Sequence, residues 1–224
     1  MVTLGCLVMN EGVNDMTTFD FGNGPVPAHQ HPNGGGWVAD TTTVSETAYV
    51  GPNARVFDNA KVYANAVVDD GAWVYDNAEV YDNAVVTVNA RVYGHAVVSG
   101  DAVVSGNAWV SGHAAVSGHT MVTCDARVSG NARVSGNAMV SGNARVSDNA
   151  MAFGNAEVSG DAMVFDDAWV FGKAMVIEGA KVFGQAMVFE DAKVFGKAMV
   201  EGTAVVNGDA EVYGDAVVCS RGYF

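Results

Sequence analysis

Valine stands at every sixth position from Val38 to Val218, with Ala152 the one substitution and no insertion or deletion in the series. Alanine stands two residues earlier in each unit from Ala48 to Ala216, and only Thr120 departs. The unit reads Ala-x-Val, then Ser, Tyr or Phe, then Gly or Asp, then Asn, Asp, His or Lys, as in NARVSG, NAMVSG and DAMVFD. In Ala-x-Val the two small apolar side chains face one way and x faces the other, the period-two alternation of a strand. Valine is β-branched and suits an extended backbone. The following pair, such as Gly142-Asn143 or Asp76-Asn77, holds residue types that tolerate φ > 0, so a corner is predicted there. A helix is excluded, because six matches neither helical period and a helix-interior glycine costs about 1 kcal/mol. Tandem hairpins are disfavoured, since the turn pair recurs at one phase on every short strand. A constant turn of one hand makes a coil.

This unit resembles the hexapeptide repeat of left-handed parallel β-helix proteins, in which an aliphatic residue begins each hexad and a small residue follows four positions later. Val104-Ser105-Gly106-Asn107-Ala108 fits that pattern. One departure is that enzymatic members often carry Gly directly after the aliphatic residue, where this chain has Ser, Tyr or Phe. The resemblance covers Gly36 to about Ser220. The stretch GGGWVADTTTVSETAYVGPNARV, with GNGPVPAHQHPN before it, is similar to the first segment of uncharacterised hexapeptide-repeat proteins of bacteria and their phages. The resemblance implies an all-β, single-stranded triangular solenoid with three hexads per coil, so that residues eighteen apart stack. Roughly ten coils at the ~4.8 Å inter-strand spacing give a rod about 50 Å long. The expected organisation is an N-terminal segment and irregular cap over 1–35, the β-helix over 36–220 and a short tail over 221–224.

With that coil length, the x positions sort into columns. One reads Trp37, Arg55, Trp73, Arg91, Trp109, Arg127, Arg145, an alternation suited to cation–π stacking. It is read either as a stiffening ladder or as a binding surface for a carbohydrate or protein partner. A second reads Tyr49, Val67, Val85, Val103, Met121, Met139, Glu157, Met175. Five successive apolar residues at outward positions mark a contact surface, so Val67, Val85, Val103, Met121 and Met139 are the expected homo-oligomer interface. The third column (Lys61, Glu79, Val97, Ala115, Arg133, Met151, Trp169, Met187) is mixed. The residue after each valine is mostly aromatic towards both ends, and Ser or Thr from Ser99 to Ser147. Stacked corners are expected there.

Composition narrows the function. A formal charge of −14 over 224 residues argues against nucleic acid, because phosphate neutralisation needs clustered Lys and Arg. No apolar run approaches the ~18 residues of a membrane span, and MVTLGCLVMNEGVNDM lacks the basic start and apolar core of a signal peptide. A cytoplasmic or virion-associated protein is expected, with residues 1–15 an alternative start or a cloning remnant ahead of Met16. Cys6, Cys124 and Cys219, odd in number and far apart, do not read as a disulfide framework.

Many proteins of the resembled class are acyltransferases that use a histidine as general base. His95 and His113, eighteen apart, and His119 on the next corner are the weak catalytic candidates here. All three stand where the repeat usually has Asn or Asp, and no inserted loop builds a pocket around them. A zinc site like that of the γ-type carbonic anhydrases, also of this fold class, does not match the spacing, so no metal and no cofactor are expected. His29 and His31 are assigned to the cap. Ice binding would need flat Thr-x-Thr arrays, and only Thr41–Thr43 is Thr-rich. Most Asp residues are explained by turns, which weakens DNA mimicry. The reading is therefore a non-catalytic structural or binding rod that self-associates through its apolar face, in a phage or bacterial assembly, with a histidine-dependent acyltransferase as the alternative. Pro25, Pro27 and Gly34–Gly36 suggest an irregular plug at the first end. Tyr223 and Phe224 are placed over the last coil, and end-to-end fibres are the other mode of association considered.

Overall fold

The computed structural model describes residues 17–220; the readings of residues 1–15 and of Tyr223 and Phe224 lie outside them. From β3 (Trp37–Ala39) onward the chain repeats one gesture: a two-residue strand, a corner, and the next strand on a new face. β4 (Thr43–Val44) begins the second face, β5 (Tyr49–Val50) the third, and β6 (Arg55–Val56) returns to the first, pairing parallel with β3. Strands eighteen residues apart stay in register through the coils, as Val38↔Val56 and Arg55↔Trp73 begin it. Three sheets result, of thirteen, ten and ten strands, wrapped about one core. The fold is an all-β parallel solenoid of about ten coils, as the hexad pattern implied.

The core is the column of Val and Ala. Almost every repeat Ala and Val from Ala48 to Val200 is fully buried, while each x residue is half-buried or exposed. Ala152 and Thr120 keep the inward positions of the residues they replace, and Thr120 satisfies its hydroxyl by donating to the carbonyl of Ser117 at 2.8 Å. Fully burying one valine is worth on the order of 1.5–3 kcal/mol before entropy, and here that term is spread evenly along the axis rather than gathered at a centre.

The corners also follow the residues. The first corner residue is left-handed at every repeat where φ is positive, for example Gly142 at 69° and Asp76 at 59°. The second donates its backbone N–H to the corner carbonyl of the next coil, as Asn77 does to Gly94 at 2.8 Å. The first corner N–H has no such carbonyl. Where the preceding coil carries a left-handed acidic residue there, its carboxylate accepts that hydrogen bond, as Gly94 N to Asp76 Oδ2 at 3.0 Å, Gly196 N to Glu178 Oε2 at 2.8 Å and Gly208 N to Glu190 Oε2 at 2.7 Å; Asp70 instead accepts from the Thr87 hydroxyl.

The first end departs from expectation. Instead of an irregular plug, residues 18–30 form a hairpin. β1 (Thr18–Asp20) pairs antiparallel with β2 (Pro25–Gln30), and β2 pairs antiparallel with β3, extending the first sheet by two strands. Its turn is closed by Asp20, whose Oδ1 accepts from the N–H groups of Gly22 and Gly24 at 2.7 and 3.0 Å. Phe21 stacks on Phe57 at 4.9 Å and is buried with Ala28 and Ala39 in a small second cluster. The next loop covers β5: Val50 N donates to Asn33 O at 3.0 Å and Gly36 N to Val50 O at 2.9 Å. Among the described residues, β4 and the hairpin's own β1 are the edge strands at this end. At the other end, the last strands of all three sheets (Val205–Val206, Glu211–Val212 and Val217–Cys219) are edges, and Ala210 and Ala216 are exposed.

Candidate functional site

The first sheet's outward column is a stack of alternating planes. Trp73 lies between two guanidiniums, Arg55 at 5.1 Å and Arg91 at 4.7 Å from its ring centroid. Trp109 lies between Arg91 at 5.7 Å and Arg127 at 4.6 Å. The parallel register forces these contacts, because successive x residues on one face are neighbours along the hydrogen-bonding direction. Trp37 takes a different partner. Phe19 of the hairpin stacks on it at 4.5 Å, and Arg55 reaches across to Phe19 at 5.2 Å. Beside this column runs a second ladder, Phe57–Tyr75–Tyr93, with stacked rings 4.9 and 5.0 Å apart and nearly parallel. Burial, then the neighbouring Tyr93, pushes the Tyr75 phenol up from its ordinary value, against the opposing pull of Arg91. Arg127 and Arg145 are exposed, the other ladder residues half-buried. Among the described residues none of these arginines pairs with a carboxylate within 4.0 Å.

The third sheet carries the apolar column: Tyr49, Val67, Val85, Val103, Met121 and Met139 are consecutive partners in register. Met121 is 46% exposed, and the others are half-buried against each other. Glu157 then interrupts the column before Met175.

The three histidines occupy corners. His95 and His113 stack ring on ring at 4.8 Å. His119, on the following corner, sits with its Nδ1 3.3 Å from Asp101 Oδ2, and both are well exposed. His113 borders an open depression of about 390 Å³ with Ser117, Arg133 and Ser135, formed where the small Ala115 follows larger side chains in its column. His31 is buried with Nδ1 3.2 Å from Asn33 O, and His29 pairs with Asp40 at 2.7 Å, so both belong to the hairpin region. Among the described residues no three His, Cys, Asp or Glu converge as a metal site, and no helix is long and apolar enough to cross a membrane.

The repeats at residues 89–106, 126–142 and 132–148 match the family model described as YdcK Beta solenoid repeat. The chain is a β-solenoid repeat protein. The second and third matched stretches lie in the Ser-cornered middle of the solenoid, and the first also takes in the preceding corner, at Tyr93. No curated protein matches the chain.

Two features of the solenoid were not visible in the hexads alone. One is a cleft of about 420 Å³ between the hairpin and the first corners, lined by Phe21, Val26, Pro27, Ala39, Phe57 and Asp58 among others. It exists because the hairpin folds back, and no local pattern announces that. The other is the length of the basic column. Past Arg145 it continues through Met163 to Lys181, Met199 and Val217, so the whole outward column of the first sheet from Trp37 holds no acidic residue. The eighteen-residue spacing carries that signal.

Proposed function

We propose that this solenoid is a non-catalytic structural or binding rod that self-associates side by side through the third sheet, as a component of a phage or bacterial assembly. The observation that carries the reading is the apolar column from Tyr49 to Met139, aligned on one flat face. A second copy is the fitting occupant, because the partner face must be equally flat, long and apolar. Size sets a condition on the contact. A hexad spans at most about 20 Å and the rod about 50 Å, so one face offers at most ~1,000 Å², while a stable interface needs ~800 Å² per partner. The contact must therefore run along most of the rod and not stop at Met139. The antiparallel hairpin and the loop over β5 interrupt the parallel stacking surface at the first end, which argues against end-to-end fibres as the mode of growth.

Sedimentation tests this: the wild type assembles and Val85→Asp with Val103→Asp dissociates it. A wild type that stays monomeric at high concentration overturns the proposal. The acyltransferase alternative has one observation in its favour, the depression beside His113. That depression is open and shallow, and little in it excludes water or orients an acyl donor. Saturable acetyl-CoA turnover abolished by His113→Ala would establish it and remove the non-catalytic reading.

A further inference from the structure

The chain carries 25 acidic and 11 basic residues, yet every charged residue in the outward column that runs from Trp37 to Val217 on the first sheet is basic. Arg55, Arg91, Arg127, Arg145 and Lys181 lie on it in register. On the corner after this column Asp58, Asp76, Asp148 and Asp166 direct an oxygen to the corner N–H of the next coil, and on the corner before it Asp70 accepts from Thr87, Asp125 from Asn107 and Asp161 from Asn143.

The donor chemistry of this face is one-sided. Arg offers N–H donors and no acceptor, and Trp offers a single N–H. With guanidiniums over both faces of Trp73 and Trp109, a ligand can meet these indoles only at their edges, where that N–H lies. A neutral sugar stacking on an indole face is thereby disfavoured, which separates the two roles the ladder might have served. Arg91 is held between two indoles and Arg55 between Phe19 and Trp73, while Arg127 rests on Trp109 alone; guanidiniums so held lose little rotamer freedom on binding, and their fork suits a carboxylate.

Spacing selects the ligand further. Arg55, Arg91 and Arg127 recur every second coil, about 10 Å apart, with an indole about 5 Å from each. Double-stranded DNA carries a negative charge every ~1.7 Å, far denser than one guanidinium every ~10 Å. An extended glycan with one carboxylate per disaccharide matches instead, since each pyranose advances the chain by close to one coil.

We propose that the first sheet binds an extended acidic glycan of alternating uronate and neutral sugar along the rod axis. Carboxylates engage Arg55, Arg91 and Arg127, and the intervening sugars offer hydroxyl and ring oxygens to the Trp73 and Trp109 edges. This deepens the binding role of the rod proposed above but uses a different sheet from its self-association.

The test is titration calorimetry with a hyaluronate decasaccharide on the full chain at low and physiological salt. Wild type is expected to bind, with affinity falling as salt rises. The Arg55→Gln, Arg91→Gln, Arg127→Gln triple variant should bind at least about tenfold more weakly, one charged hydrogen-bonding pair being worth that much. Arg127→Gln alone, at an exposed residue, should weaken binding severalfold, while Arg145→Gln, one coil out of the uronate register, should weaken it less; the reverse order overturns the register. Lys61→Gln, on the second sheet, should leave glycan binding unchanged. Carboxyl-reduced hyaluronate should bind at least about tenfold more weakly than the native oligosaccharide. The proposal is overturned if wild type does not bind, if the reduced glycan binds equally, if polyphosphate binds more tightly, or if the arginine variants alter sedimentation and not glycan binding. Self-association would be unaffected by a failure here, because it is read from the Val85 and Val103 variants.

Discussion

Asn107 donates its side-chain N–H to Asp125 Oδ1, one coil further along, at 3.0 Å, and accepts from Asn89 at 3.3 Å. The same direction holds elsewhere. Asn65 donates to Asn83 and Asn83 to Asp101, and Asn131 donates to Asn149 and Asn149 to Asp167. Each of these ladders ends in an aspartate towards the C-terminus, because a carboxylate can accept and cannot donate. The terminal bonds, charge-assisted, span 2.9–3.0 Å.

That polarity makes the two amide–carboxylate exchanges unequal. Asn107→Asp would set two carboxylates on successive coils with no proton between them, and should cost about 1 kcal/mol at pH 7. The loss should shrink as the solution is acidified. Asp125→Asn keeps an acceptor for Asn107 and gains a donor, so it should be nearly neutral. Urea midpoints of both variants at pH 7 and pH 4 check this. Equal losses for the two would dismiss the directional ladder.

Corner glycines are predicted to discriminate by chemistry as well as size. Gly112 has φ +70°, and a Cβ there would lie 2.8 Å from Gly130 O and 3.0 Å from Gly130 N in the next coil. Gly112→Ala should destabilise by about 1–2 kcal/mol from the left-handed backbone alone. Aspartate already stands at corners with φ near 59°, as at Asp76 and Asp148, and there accepts the next corner N–H. Gly112→Asp should therefore be milder than Gly112→Ala in thermal melts, and the reverse order would refute the capping role.

A pH dependence follows from Glu79. Its hydrogen bond from Lys61, 2.9 Å long, holds the carboxyl below its ordinary value, with Tyr63 adding a second bond. For a carboxyl depressed in the folded state, the stabilisation is present above the unfolded value and is lost as pH falls through the folded one. The stability gap between wild type and Glu79→Gln should close on acidification from pH 7 to below the ordinary carboxylate range. Solvent screens this exposed pair, so the gap is expected to be small at the outset and smaller in high salt. A gap that widens in acid would contradict the assignment.

The solenoid was legible in the hexads because its determinants are local. Each Ala-x-Val segment sorts its own side chains between inside and outside, and each Gly or Asp supplies its own positive φ. The choice between helix, hairpin and coil is decided within a few residues and then repeated. The Trp–Arg and Val–Met columns needed one further quantity, three hexads per coil, which the family resemblance implied and the strand register bears out. The first end was not legible in this way. Pro25, Pro27 and the glycines suggested irregularity, but proline is compatible with a strand where its missing N–H is not needed in the ladder. What makes β1 and β2 a hairpin is distant in sequence: Phe21 on Phe57, His29 on Asp40 and Val38 opposite His29.

Taken alone, then, the residues determined the period, the inward Val and Ala and the positions of the corners, since each depends on backbone preference and burial within one hexad. The tertiary structure decided what the outward residues do. Indole faces became covered when arginines arrived above and below them, Arg55 was drawn towards Phe19 by the folded-back hairpin, and corner carboxylates turned to the next coil's N–H. Those outcomes depend on which coil lies against which, a long-range fact that closes only when the whole chain is wound.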